Sequence, residues 1–367
     1  MRSNASRKIL ENVALATFGL IIAVVVIELV PRILPTRLLP KPVRYALDEM
    51  DSRLHSMDPY LPDPKLWYVI RPGIDMIIRH PEADFRMKTN LNFPTAGFRG
   101  GTLGGTAWGV AVGDSFTFGP GVEHQETWVA QLSEISRREF VNLGVPGWGP
   151  GQYTLTLEEY GLPLKPKIVL YCLFSNDIAN VARFENDEGH FNQFSLRHYM
   201  RLHSVTYNLF RRVRRSRSQN DTEEYGPGLN FSKTDLRKRL AAERNRFAAG
   251  WPLTEQQIET AYHQSDASHA HFVLLYFPSK EEVYWDLIKD KQRSLAEFDD
   301  AIDLLRRSAL ALCRTRHFTC LDLTPVLKNR ASRGEKLYFS IDTHWTKAGN
   351  RAVAEEIYQE LRRKELL

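Results

Sequence analysis

Short apolar runs alternate with amphipathic segments from Trp108 to the C-terminus, and this alternation constrains the fold more than any other feature. The runs predict strands at 108–113, 139–144, 167–174, 271–277 and 318–323. Helical periodicity predicts helices at about 126–138, 151–162, 280–291, 297–314 and 346–363. Strands that alternate with helices form parallel sheets, because each helical crossover returns the chain to the same end of the sheet. The sequence therefore predicts an α/β fold, a doubly wound parallel sheet with helices on both faces.

Polar or glycine-rich blocks follow three of the predicted strands, and a fourth such block precedes the final helix. In an open parallel sheet, ligands bind where the strands end. Gly113-Asp114-Ser115 follows the first strand, a loop at 144–149 that contains Gly147 follows the second, and Ser175-Asn176-Asp177 follows the third. Asp342-Thr343-His344-Trp345 lies after the last strand and just before the final helix. We expect these four blocks to meet at one edge of the sheet.

The residue types in these blocks suit nucleophilic catalysis. A serine at a strand-to-helix corner exposes its hydroxyl, and the first backbone N–H groups of the helix have no internal acceptor, so they favour a developing oxyanion. His344 can accept the proton of Ser115, and Asp342 can hold the imidazole in the required tautomer. The backbone N–H groups of Ser115 and Gly147 and the side-chain amide of Asn176 would then form a three-donor oxyanion hole.

Each of these residues also has a purely structural interpretation. Asp114 or Ser115 could simply cap a helix, as could Asp342 and Thr343, because such side chains are frequent at helix N-termini. Asp322, near the end of the last predicted strand, is a rival to Asp342 as the acidic partner of the histidine. The catalytic interpretation depends on the joint occurrence of all four blocks.

The four blocks resemble, in kind and in order, those of the SGNH or GDSL-like serine hydrolase superfamily. The resemblance covers about residues 108–360 and implies a flavodoxin-like three-layer fold, a Ser-His-Asp triad and an acyl-enzyme intermediate, with no cofactor. The usual final block separates Asp and His by two residues, whereas only Thr343 stands between Asp342 and His344. That spacing resembles the membrane-anchored branch with alginate-type O-acetyltransferase SGNH domains, as do the stretches 97–100 and 278–281. This branch implies modification of cell-surface polysaccharide.

The N-terminus predicts a membrane anchor. Arg2, Arg7 and Lys8 precede residues 9–30, a predominantly apolar stretch of 22 residues that would be about 33 Å long as a helix, enough to cross a bilayer. No small-residue cleavage site follows, so we expect an uncleaved signal anchor. Basic residues flank both ends, so their number does not decide the orientation. We expect the body of the protein outside the cytoplasm, facing the periplasm or the exterior of a bacterial cell.

The predicted organisation is a short basic tail at 1–8, a transmembrane anchor at 9–30, an approach or linker region at 31–100, and a hydrolase-like domain at 101–367. Within the linker region, residues 87–92 predict an edge strand. A polar insertion at about 185–265 interrupts the domain, with helical patches near 194–216 and 232–248. Its basic cluster would either meet anionic head groups or polymers, or form a solvated helix face: Arg211, Arg212, Arg214, Arg215 and Arg217.

Charge and cysteine content limit the kinds of partner and cofactor that we expect. The formal net charge of +5 is spread along the chain, which does not suggest nucleic-acid binding. The three cysteines lack zinc-type spacing, so they do not predict a zinc site. We expect neither a metal nor a cofactor. Cys172 lies in an apolar run, which predicts that its side chain is buried in the core. Cys313 and Cys320 could form a disulfide in an oxidising compartment, a question that spacing leaves open.

These observations predict a membrane-anchored serine esterase or acyltransferase that acts on O-acyl groups, O-acetyl above all, of a cell-surface polysaccharide. The expected partners are a glycan or other acyl-ester substrate, the membrane, and polysaccharide acetylation or export machinery. One alternative is a lipid or thioester hydrolase. A non-enzymatic alternative is a catalytically silent scaffold or binding subunit of an export assembly. The sequence does not distinguish hydrolysis from transfer, and it does not define the donor, the glycan or the oligomeric state.

Overall fold

The computed structural model describes residues 2–55, 58–101, 105–186, 199–200, 203–219, 222–226, 229–291 and 297–367. The chain forms two compact units, one of residues 1–58 with 192–221 and one of residues 59–191 with 222–367. The side chains of two groups of basic residues singled out in the sequence are not among those that the structure describes. They are the tail residues Arg2, Arg7 and Lys8, and the cluster residues Arg212, Arg214, Arg215 and Arg217.

The described residues form strands that we number in chain order. They are Tyr60–Asp63 (β1), Trp67–Ile70 (β2), Asp75–Ile78 (β3), Phe85–Lys88 (β4), Gly109–Val112 (β5), Phe140–Asn142 (β6), Ile168–Leu173 (β7), Thr222–Gly226 (β8), Leu229–Ser232 (β9), His271–Tyr276 (β10) and Thr319–Asp322 (β11). The helices are Arg2–Ile33 (α1), Lys41–His55 (α2), Ser115–Phe118 (α3), Trp128–Ser136 (α4), Pro150–Thr156 (α5), Asp177–Glu185 (α6), Val205–Gln219 (α7), Lys233–Ala267 (α8), Lys280–Val283 (α9), Trp285–Lys291 (α10), Asp299–Ile302 (α11), Leu304–Arg316 (α12), Thr324–Ser332 (α13) and Lys347–Arg363 (α14).

A five-stranded parallel sheet forms the centre of the larger unit. Its strand order is β11-β10-β7-β5-β6, and every neighbouring pair is parallel. Counted along the chain from β5, this is the order 2-1-3-4-5 of flavodoxin-like folds. The predicted α/β fold is therefore confirmed. The five observed strands are the five predicted from the sequence, each shorter by at most two residues at either end.

Both faces of the sheet are buried. Along β7, Val169, Tyr171 and Leu173 belong to one apolar cluster, whereas Leu170 and Cys172 belong to a second. Helices α5, α8 and α12 contribute side chains to the first cluster, and α4, α13 and α14 contribute to the second. A strand covered on both faces reads as a continuous apolar run, which is why the sequence marks these strands clearly.

Residues 59–101 differ from the predicted linker. They form two antiparallel hairpins, β1 with β2 and β3 with β4. Apolar side chains such as Ile70, Phe85 and Phe98 are buried in the same core cluster as β7. The sequence does not reveal this, because strands of four residues are too short to show a clear period. These hairpins belong to the same compact unit as the sheet.

The predicted insertion divides between the two units. Helix α7 lies in the smaller unit, where Val205 packs with Ala46 and Met50 of α2. Helix α8 lies in the larger unit and packs against α5 and α6. Its second half buries Ile258 and Ala261 in the core. This part of the predicted insertion is therefore a covering layer of the sheet.

Helix α1 contains a segment long and apolar enough to cross a membrane. This segment is Glu11–Ile33, in which the most apolar 18-residue window has a mean hydropathy of 2.8, and no residue of that window is buried within the protein. These properties are compatible with the predicted anchor at 9–30, and a signal sequence would share them. Near the end of the segment, Glu28 accepts the backbone N–H groups of Val205 and Thr206, both at 2.9 Å. This carboxylate therefore caps the N-terminus of α7.

Cys313 of α12 and Cys320 of β11 form a disulfide, with Cα atoms 6.2 Å apart. The third cysteine, Cys172, is buried and unbridged. The structure thus resolves the pairing that the sequence left open. A disulfide is typical of proteins that fold in oxidising compartments.

We expect the denatured, unreduced protein to expose one reactive thiol, that of Cys172, and the reduced protein to expose three. Maleimide labelling followed by intact-mass measurement counts these thiols. Replacing both bridged cysteines by alanine should lower the free energy of unfolding by about 2 kcal/mol, because the bridge restricts the unfolded chain. Cys172→Ala is the labelling control and should leave no reactive thiol before reduction. Three thiols without reductant would contradict the bridge.

Candidate active site

Ser115 occupies the sharp corner between β5 and α3. Gly113 is required there, because a Cβ atom would lie 2.2 Å from Oγ1 of Thr117. Asp114 caps the helix through Oδ1, which accepts the backbone N–H of Phe116 at 2.8 Å. The helix ends after one turn at Gly119, whose left-handed conformation (φ 80°) suits glycine. The corner leaves the Ser115 side chain half-buried at the edge of the sheet.

A continuous hydrogen-bond chain joins Ser115, His344 and Asp342. Oγ of Ser115 lies 2.8 Å from Nε2 of His344, and Nδ1 of His344 lies 2.5 Å from Oδ1 of Asp342. A carboxylate at Nδ1 places the proton of the neutral imidazole on that nitrogen. Nε2 is then free to accept the proton of the serine hydroxyl. This arrangement is the one required for a serine nucleophile with a histidine base.

Asp342 is ionised in this arrangement. Burial opposes its charge, but the hydrogen bonds from the ring and the backbone N–H of His344 outweigh burial and lower the pKa of Asp342 to about 2. Oδ1 of Asp342 also accepts the backbone N–H of His344 at 2.9 Å. The carboxylate therefore orients the histidine through both its ring and its backbone.

The loop that carries Asp342 and His344 is closed by short contacts at its base. Tyr338 and Trp345 form an antiparallel bridge, and the backbone N–H of Phe339 donates to the carbonyl of His344 at 3.0 Å. Trp345 is buried, and its ring contacts those of Phe116 and Phe277 with centroids 4.9 and 4.8 Å away. The cap of α14 is Thr346, whose hydroxyl accepts the backbone N–H of Gly349. The alternative role of Asp342 and Thr343 as caps of this helix is therefore wrong.

The three predicted oxyanion donors follow the neighbouring strands β7, β5 and β6. Asn176 donates from Nδ2 to Oδ2 of Asp114 at 3.0 Å, which fixes its amide beside the Ser115 corner. Gly147 has a positive φ of 85°, and a Cβ there would lie 2.7 Å from Oη of Tyr68. The same tyrosine donates to the carbonyl of Pro146 at 2.7 Å. Only glycine fits this turn without displacing Tyr68.

Two buried aspartates shape the loops around the corner. Asp114 joins the helix cap to Asn176, and burial raises its pKa despite these hydrogen bonds. Asp177 accepts hydrogen bonds from Oη of Tyr153 at 2.6 Å and from the backbone N–H of Phe174 at 2.9 Å. Burial, together with the charge of Asp114, raises the pKa of Asp177 well above its usual value. Both residues hold backbone in place around the corner.

Asp322, the rival acid, has other partners. Its Oδ2 binds Arg306 at 2.6 Å, and its Oδ1 accepts the backbone N–H of Thr324 at 3.0 Å. It therefore connects β11 to α12 and α13. The carboxylate that contacts the ring of His344 is that of Asp342.

Two buried cations near the site were not assigned a role from the sequence. Arg99 donates to the backbone carbonyls of Phe118, Gly119 and Val122, at the C-terminal end of the Ser115 helix. Lys280 donates to the carbonyl of Ser340 at 2.7 Å, on the loop that carries Asp342. Burial lowers the pKa of Lys280 to about 8. Their only sequence signal is that both lie in the stretches 97–100 and 278–281 that resemble the anchored branch.

Comparison with known families supports the predicted class. Residues 239–367 match the model of the SGNH hydrolase-like domain of the acetyltransferase AlgX. This stretch of the chain is therefore similar to an SGNH hydrolase-like domain. The match includes Asp342 and His344 and begins after Ser115, Gly147 and Asn176. The predicted superfamily and enzyme class, a serine ester hydrolase or O-acetyltransferase, are confirmed by this finding.

Solved structures with a similar arrangement include two bacterial proteins. One is a lipolytic protein of the G-D-S-L family from Desulfitobacterium hafniense, with 16% identity and a TM-score of 0.40, covering 68% of this chain and 97% of that one. The other is Axe2, an acetyl-xylooligosaccharide esterase from Geobacillus stearothermophilus, with 14% identity and a TM-score of 0.40, covering 70% and 95%. No curated protein sequence matches the chain significantly.

We expect Asp342→Asn to lower kcat for ester cleavage about 10³-fold to 10⁴-fold, because an amide no longer selects the His344 tautomer that accepts the serine proton. Asp322→Asn is the matched control, since it removes a carboxylate that binds Arg306 instead, and it should retain a kcat near that of the wild type. Steady-state kinetics on folded variants, checked by thermal melting, compare the two. Equal losses in both variants would refute the assignment of Asp342.

Proposed function

We propose that this protein is a membrane-anchored serine esterase or acyltransferase that acts on O-acetyl groups of a cell-surface polysaccharide. The observation that carries the proposal is the hydrogen-bond chain from Oγ of Ser115 through His344 to Asp342. The alternative of a silent scaffold does not explain why three residues, two of them more than 200 positions from the first, adopt this alignment.

The proposed reaction has two halves. Oγ of Ser115 attacks the ester carbonyl while its proton passes to Nε2 of His344. The oxyanion is stabilised by the backbone N–H groups of Ser115 and Gly147 and by the amide of Asn176. Collapse of this intermediate gives an acyl group on Ser115 and a leaving oxygen that takes the proton from His344. Water or a sugar hydroxyl then loses its proton to His344 and attacks the acyl-serine. The bond between the acyl group and Oγ of Ser115 breaks, and Oγ takes the proton back from His344.

Four observations support the finer parts of the proposal. The matched family model describes an acetyltransferase, which favours a short acyl group. The single residue between Asp342 and His344 resembles the branch that modifies cell-surface polysaccharides. The apolar segment Glu11–Ile33 suits an anchor, and the disulfide between Cys313 and Cys320 suits a domain outside the cytoplasm.

The first experiment measures p-nitrophenyl acetate turnover by the full-length chain purified in detergent. We expect wild-type protein to release p-nitrophenol and Ser115→Ala to lose that activity to the background rate, because the variant lacks the hydroxyl that is proposed to form the acyl-enzyme. Ser136→Ala is a matched control, since this hydroxyl donates to the carbonyls of Leu132 and Ser133 and accepts the backbone N–H of Arg138, all at the end of α4. Mass spectrometry of quenched protein should find an acetyl group on the Ser115 peptide. Equal rates in wild type and Ser115→Ala would refute the proposed enzymatic activity of Ser115.

The second experiment tests the substrate in cells. Deletion of the gene should lower the acetyl content of the surface polysaccharide, measured by NMR of the purified polymer. Wild-type protein should restore the acetyl content, and Ser115→Ala should not. Full restoration of the acetyl content by Ser115→Ala would favour the alternative of a catalytically silent scaffold. Unchanged acetylation, with turnover of p-nitrophenyl acetate retained, would exclude this polysaccharide and favour a lipid or thioester substrate.

A further inference from the structure

The loop that carries Asp342 is bound by a carboxylate from the β3–β4 hairpin. The side chain of Glu82 accepts the three consecutive backbone N–H groups of Ser340, Ile341 and Asp342 at 2.7, 2.8 and 2.9 Å. Burial opposes the charge of Glu82, but these three donors lower its pKa below the usual value. Glu82 thus fixes the backbone of the loop at the position where the Asp342 side chain emerges.

His80, two residues earlier, faces the Asp342 side chain. Its Nδ1 accepts the backbone N–H groups of Glu82 and Ala83 at 3.3 and 3.2 Å. Because Nδ1 accepts, the proton of the neutral ring is on Nε2. This N–H has no hydrogen-bond partner among the described residues, and its nitrogen lies 3.6 Å from Oδ2 of Asp342. The side chain is only 7% exposed and packs against Phe339, with ring centroids 4.9 Å apart.

We propose that His80 is a positioning residue that orients the Asp342 carboxylate through its Nε2–H, and so aligns His344 with Ser115. This inference rests on the proposed function. Oδ1 of Asp342 already serves the ring and the backbone of His344. A donor facing Oδ2 opposes rotation of the carboxylate, which would move Oδ1 away from the histidine. At 3.6 Å the contact orients the carboxylate electrostatically, since it is longer than a normal hydrogen bond.

A competing explanation is that His80 only caps its own turn through Nδ1. The two nitrogens of the ring can be tested separately, because the amide of glutamine reaches the position of Nε2 and that of asparagine reaches the position of Nδ1. His80→Gln keeps a donor toward Asp342 and loses the turn acceptor. His80→Asn keeps the turn acceptor and loses the donor toward Asp342.

The experiment measures kcat and KM of the full-length protein for p-nitrophenyl acetate. We expect His80→Asn to lower kcat about 10-fold to 100-fold with KM little changed, as for a misaligned catalytic group, and His80→Gln to retain most of the activity. The reverse order would show that only the turn cap matters, and equal losses or no losses would likewise overturn the proposal. An inactive wild-type protein would instead overturn the proposed function.

A second measurement keeps the test independent of turnover. In protein with ¹⁵N-labelled histidine, the chemical shifts of the His344 ring nitrogens report which of them carries the proton. We expect the wild type and His80→Gln to hold the Nδ1–H tautomer, and His80→Asn to show a mixture. A pure Nδ1–H tautomer in His80→Asn would contradict a positioning role even if that variant were less stable.

Discussion

Burial of the central strands on both faces is the constraint on which the rest of the structure depends. β5 and β7 are buried along their whole length, so every backbone group in them must pair within the sheet. Parallel pairing then brings the carboxyl ends of β5, β6 and β7 to one edge. Ser115, Gly147 and Asn176 are neighbours for this reason, although they are dispersed along the sequence. The chemistry of the site follows from strand order before any side chain is considered.

The second requirement is that a loop outside the sheet holds His344 beside Ser115. That loop is fixed by opposite charges on its two sides: the carboxylate of Glu82 binds its N–H groups, and the ammonium group of Lys280 binds the carbonyl of Ser340. Trp345 fixes its end in the core. Backbone held by charged side chains loses little further freedom when a substrate binds, so the alignment of His344 is formed in advance.

The sequence predicted the five sheet strands and the four blocks at their ends, because doubly buried strands read as continuous apolar runs and parallel strands share an edge. It did not predict the parts played by Glu82, His80, Arg99 or Lys280. Glu82, Arg99 and Lys280 bind backbone N–H or carbonyl groups, which every residue possesses, so no complementary side chain marks the contact. Glu82 and Ser340 are 258 residues apart, and nothing in the spacing links them. The hairpins of 59–101 were missed because their strands are short.

The hairpins of 59–101 also change where the catalytic unit begins. A boundary drawn at the first sheet strand, near residue 101, would remove Glu82 from the loop of Asp342 and Arg99 from the end of the Ser115 helix. Every residue of the proposed triad would remain in such a fragment, but the contacts that Glu82 and Arg99 make with the two loops would not. The functional unit therefore starts at residue 59, where the larger compact unit begins. Its active geometry depends on segments that lie between the apolar helix and the nucleophile, a stretch that a motif search treats as spacer.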